Sequence, residues 1–70
     1  MSHSGIVKWY DIDKNFGFII EDGVENEEIF VHKTNILTLD QSLDKDQRVT
    51  FDVERKNNKL QATNVKPLDE

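Results

Sequence analysis

Phe16 and Phe18 stand two residues apart, and Phe30 and His32 repeat that spacing further along the chain. Cations accompany the rings: Lys8 beside the sole tryptophan, Trp9, then Lys14 before Phe16 and Lys33 after His32. Aromatic rings stack on the flat faces of nucleobases and ammonium groups meet phosphates, so the chemistry on offer is recognition. A base stacked on an aromatic side chain is worth ~1–3 kcal/mol by truncation, and every base has a π-face, so such binding tolerates many sequences. Bases inside a duplex are already stacked, which makes single-stranded RNA or DNA the expected partner.

Bond-making chemistry has no comparable support. The chain has no cysteine, and His3 is the only histidine besides His32, so no Cys/His metal cluster can be assembled. No nucleophile, base and orienting group occur at a spacing that would make an enzyme. We therefore expect no catalysis, cofactor, metal or small-molecule substrate.

The formal net charge of −5 argues against a protein that binds any polyanion through bulk charge. Its distribution is uneven. Residues 21–40 carry Glu21, Asp22, Glu25, Glu27, Glu28 and Asp40 against Lys33 alone, which accounts for all of it, while residues 1–20 and 41–70 are each neutral. The run from Glu21 to Glu28 reads as a solvated loop, with a screen against polyanions away from the binding face as the lesser, functional alternative.

The elements that must position the rings are strands. Residues 6–10, 16–20 and 29–32 are rich in β-branched and aromatic side chains, and the second and third are joined by a polar loop with the turn signal Asp22-Gly23. Val49, Phe51 and Val53 alternate with polar residues over 48–54, and residues 60–65 return after a turn at Asn57 and Asn58. Residues 34–47 form a long connection with Ile36, Leu37, Leu39 and Leu43 as scattered anchors and room for a short helical turn. Five short strands in 70 residues predict an all-β, antiparallel barrel, because closing the sheet removes its open edges.

Side chains alternate across a strand, so Phe16 and Phe18 share one face with Phe30 and His32, and Ile19, Ile29 and Val31 share the other. The aliphatic set can join Val49, Phe51 and Val53 in one compact core. The rings are then left facing solvent, and a cluster of exposed rings marks a binding surface. Gly17, between two of them, marks a crowded inner side of its strand. Val7 and Trp9 have the same parity, so only a bulge in the first strand can place one inside and the other outside.

These residues resemble the cold-shock domain family: Gly5-Ile-Val-Lys-Trp-Tyr-Asp, Lys14-Asn-Phe-Gly-Phe-Ile, Asp22-Gly23 and Ile29-Phe-Val-His, followed more weakly by Gln61-Ala-Thr-Asn-Val. The short chain is similar to the free-standing bacterial members. The resemblance implies a five-stranded OB-type barrel that binds single-stranded RNA and DNA and serves as an RNA chaperone or a regulator of transcription and translation. It carries binding roles onto Lys8, Trp9, Lys14, Phe16, Phe18, Phe30 and His32, with Tyr10, in place of a usual phenylalanine, packing inward. Several positions depart from the family. Asn15 replaces a glycine, Lys33 replaces a stacking aromatic, Asn58 lies near a frequent arginine, and the long connection offers Leu39 and Asp40 where the family has glycines and a further aromatic. These departures bear on affinity more than on fold.

The expected organisation is a flexible N-terminus over 1–4, a cold-shock domain over 5–67 and a tail over 68–70. No apolar run approaches the ~20 residues of a membrane helix, and no signal-peptide pattern is present, so a soluble, cytoplasmic monomer is expected. The competing class is a protein-interaction module that uses the same aromatic patch as a dimer or partner interface, since OB-type barrels host many functions.

Overall fold

The computed structural model describes residues 2–24 and 27–68. Met1, Glu25, Asn26, Asp69 and Glu70, which include one acid of the run after Glu21 and most of the expected tail, lie outside the described residues. Five strands, β1 (His3–Asp11), β2 (Phe16–Glu21), β3 (Ile29–His32), β4 (Arg48–Lys56) and β5 (Lys59–Pro67), close into a barrel in the order β1-β2-β3-β5-β4. The barrel is all-β apart from one turn of 3-10 helix over Lys33–Asn35. All neighbours are antiparallel except β3 and β5, which meet in parallel through Phe30 opposite Gln61 and Val31 opposite Ala62.

The alternation of apolar residues builds one core. Val7, Ile19, Ile29, Val31, Val49 and Phe51 are buried, joined by Ala62 and Val65 of β5 and by Ile36 and Leu43 of the long connection. Val53, expected among them, is only partly buried and packs on the core's margin with Tyr10 and Leu60. Tyr10 does turn inward; burial pushes its phenol up, and its hydroxyl donates a long bond of 3.4 Å to the Gln41 carbonyl. The other two anchors of the connection, Leu37 and Leu39, are exposed.

Turn chemistry fixes the strand pairing. Asn57 and Asn58 both have positive φ, 53° and 67°, as a two-residue hairpin turn of matching twist demands, and asparagine tolerates that region better than most residues. In the β1–β2 turn Asp11 accepts from the backbone N–H groups of Asp13 and Lys14, and Asn15 sits at φ 66° where glycine would be usual. β1 starts at His3, which pairs with Phe51 of β4 and stacks its ring on that side chain. Nearby, the Ser4 hydroxyl and the Arg48 guanidinium both donate to Asp22, holding its carboxyl below the usual carboxylate range.

Candidate functional site

A β-bulge decides the makeup of the outer face. Along β1, Val7 lies opposite Ile19 and Trp9 opposite Phe18, so two residues of β1 advance against one of β2. The extra residue turns the indole outward while Val7 stays fully buried, as the shared parity of the two requires. From there β2 and β3 continue the face in register: Phe16 pairs with His32 and Phe18 with Phe30.

The result is one contiguous aromatic cluster. Trp9 meets Phe18 at 5.3 Å between centroids and Phe16 at 5.7 Å, both edge to face. Phe30 lies 5.6 Å from Phe16 and 5.9 Å from Phe18, and the His32 ring follows at 6.4 Å. Trp9 remains 36% exposed, whereas Phe16, Phe18 and Phe30 are half-buried. The expectation of a cluster of fully exposed rings therefore needs adjusting, because each covers part of its neighbours. Edge-to-face packing nonetheless leaves ring surface turned outward, and it fixes the orientation of those surfaces before any ligand arrives.

Gly17 is what allows the indole and the phenylalanines to share this face. A methyl group there would lie 2.3 Å from the Trp9 carbonyl oxygen and 2.8 Å from Tyr10 Cα. Such contact is possible only where the residue has no side chain, and it brings the β1 backbone hard against β2.

The polar groups are distributed unevenly. Lys8 is exposed at the bulge and forms an ion pair with Glu28, which lies just before β3. Lys14 is exposed in the β1–β2 turn. Lys33 opens the 3-10 turn, and its backbone N–H donates to the Asn15 carbonyl at 2.9 Å, tying that turn to the β1–β2 turn beside Phe16. The His32 Nδ1 accepts from the Thr34 backbone N–H at 3.2 Å. An imidazole that accepts at Nδ1 carries its proton on Nε2 when neutral, so His32 can offer a donor at the end of the face. All eight residues expected from the sequence thus belong to β1, β2, β3 or the turns that adjoin them.

Other residues border the face without having been expected there. A groove of about 330 Å³ is lined by Phe30, Lys56, Asn57, Lys59, Leu60 and Gln61, and a second of similar volume runs between Phe18, Phe30, Glu27, Glu28, Lys59 and Leu60. Both exist because β5 is laid beside β3, a pairing between strands far apart in sequence. The only local signal was the polar turn between β4 and β5. Among the described residues no group of three or more His, Asp or Glu side chains is arranged to hold a metal ion, and no helix is long and apolar enough to cross a membrane.

Comparison with known proteins adds independent findings. Residues 3–68 match the family described as the 'Cold-shock' DNA-binding domain. The chain is 47% identical over 66 residues to Cold shock protein 2 of Lactiplantibacillus plantarum, covering 91% of this chain and 96% of that one. It is 41% identical over 71 aligned positions to the Cold shock-like protein of Aquifex aeolicus, covering both chains in full. Among solved structures, drosophila Unr CSD456 superposes with a TM-score of 0.82 at 25% identity, over 99% of this chain and 27% of that one.

Proposed function

The chain belongs to the cold-shock domain family, and from that premise we propose that it binds single-stranded RNA and DNA by stacking bases on Trp9, Phe16, Phe18 and Phe30. The observation that carries this reading is the contiguity of the four rings on one outer face, at centroid separations of 5.3–6.3 Å. His32 donates from Nε2, and Lys8, Lys14 and Lys33 meet the backbone phosphates. Base stacking that tolerates many sequences suits an RNA chaperone or a regulator of transcription and translation, acting in the cytoplasm. Lys59 and Gln61, beside Phe30, extend the path available to a strand.

The test uses the sole tryptophan. Single-stranded oligonucleotide is expected to quench Trp9 emission, because a base stacked on the indole supplies a quenching path, and duplex of the same sequence is expected to do far less. With about 3 to 4 phosphates neutralised, log K should fall by ~2–3 per decade of salt. Equal quenching by both forms would remove the stacking account. No quenching by either, with self-association that strengthens at high salt, would instead identify the face as a protein interface.

Lys33 offers a second test. It exchanges a stacking surface for a flexible cation beside His32. A stacked base is worth ~1–3 kcal/mol, whereas one exposed ammonium acts on a phosphate only within a Debye length of ~8 Å at physiological salt and gives less. Lys33→Phe is therefore expected to tighten single-strand binding and flatten its salt dependence, and Lys33→Ala to weaken it slightly. Titrations of the three proteins at low and moderate salt measure this. Weaker binding by Lys33→Phe at both salts would mean that the lysine makes a specific contact.

A further inference from the structure

Lys8 is the cation next to Trp9, yet its ammonium is already engaged, because Nζ donates to Glu28 Oε2. The two residues lie twenty positions apart, and their side chains are 48% and 41% exposed. Glu28 and Glu27 also line the groove that passes Phe18 and Phe30. A carboxylate in that place offers Lys8 what a phosphate oxygen would offer it: an anionic acceptor within reach of the aromatic face.

We propose that Glu28 is an internal competitor for the phosphate that Lys8 would otherwise hold, so that a strand engages Lys8 by exchanging one anion for another. This rests on the single-strand reading above and goes beyond it by assigning a role to a residue outside the aromatic face. In a simple contact each phosphate releases ~0.7 of a condensed cation. In the exchange, Glu28 is freed at the same moment and leaves a negative charge beside the phosphate, so the Lys8 contact contributes less than a full ~0.7 and the slope of the parent lies toward the lower end of the ~2–3 per decade expected above. The binding energy is thereby weighted away from the backbone and toward stacking. A bare polyanion gains little at Lys8, and a strand with unpaired bases gains at the rings.

The experiment titrates four proteins, the parent, Glu28→Gln, Lys8→Gln and the double variant, with a short oligodeoxythymidylate and with its uncharged methylphosphonate counterpart. Exposed ion pairs shift an equilibrium by about 1.4- to fivefold. Glu28→Gln is accordingly expected to tighten phosphodiester binding by about two- to fivefold at low salt and to steepen the salt slope by up to ~0.7. It should leave methylphosphonate binding unchanged, and the gain should vanish in the Lys8→Gln background. A gain that is absent, that extends equally to the uncharged strand, or that persists without Lys8 overturns the exchange while leaving the single-strand reading intact. If the parent binds neither strand, the single-strand reading fails and the exchange falls with it.

Discussion

Gly17→Ala is expected to leave the chain largely unfolded at 25 °C. The added methyl would stand 2.3 Å from the Trp9 carbonyl oxygen, 2.8 Å from Tyr10 Cα and 2.9 Å from Tyr10 Cδ1. Two of those atoms are backbone, in the part of β1 that pairs with β2 through Trp9 opposite Phe18 and Tyr10 opposite Gly17. No rotamer change can relieve the clash, so β1 and β2 must separate. Overpacking costs ~1–3 kcal/mol where side chains can adjust and more where they cannot. A core of this size supplies only ~3–5 kcal/mol. Gly23→Ala is the control, since Gly23 has φ 81° with nothing within 4 Å of the added atom. It should cost ~1–2 kcal/mol from backbone strain alone. Circular dichroism and thermal melts decide the matter, and a Gly17→Ala protein that melts within a few degrees of the parent would show that the strands give way easily.

Phe18→Ala and Phe30→Ala are each expected to weaken single-strand binding by ~1–3 kcal/mol, roughly five- to 150-fold. Both rings are half-buried against their aromatic neighbours, so each loss also removes edge-to-face contacts worth ~0.5–1.5 kcal/mol apiece. The melting temperature should therefore fall, but by less than for Phe51→Ala, whose ring is 1% exposed and should cost ~3–5 kcal/mol. The two readouts separate the roles: Phe51→Ala loses stability most, and the face variants lose affinity most when binding is compared at a temperature where each protein is folded. If Phe18→Ala or Phe30→Ala melts as early as Phe51→Ala while binding as well as the parent, the rings serve the fold and the face is not a binding surface.

What could be read from the sequence was whatever depends on near neighbours. Phe16, Phe18, Phe30 and His32 share a face because alternation along a strand puts them there, and β2 and β3 pair with Phe16 opposite His32 and Phe18 opposite Phe30. The buried pattern of Val49 and Phe51 was legible for the same reason. The bulge between Val7 and Trp9 could be required but not located, since parity says only that one of the two must change sides. β5 looked irregular because it contains a shift of its own, where Asp52 pairs with Thr63 and Asn64 takes φ 52°. Along the connection nothing in the spacing of Ile36, Leu37, Leu39 and Leu43 foretells that the first and last are buried and the middle two exposed. Glu28 could not be matched to Lys8, because their meeting depends on how β1 and the start of β3 lie across β2, and Lys59 and Gln61 could not be matched to Phe30, because that contact exists only once the barrel has closed.

The strand order also has a kinetic meaning. β1, β2 and β3 are consecutive and pair in sequence, and β4 and β5 form a hairpin of their own, so the barrel consists of two pieces that can each form locally. Their union requires His3 to find Phe51 and Phe30 to find Gln61. Pairings so distant carry the larger loop-closure entropy and set the pace of folding. Every ring of the aromatic face lies on the first piece. The platform can thus be assembled by a nascent meander before the molecule as a whole has folded, and the slow event is the docking of a hairpin that contributes none of the rings.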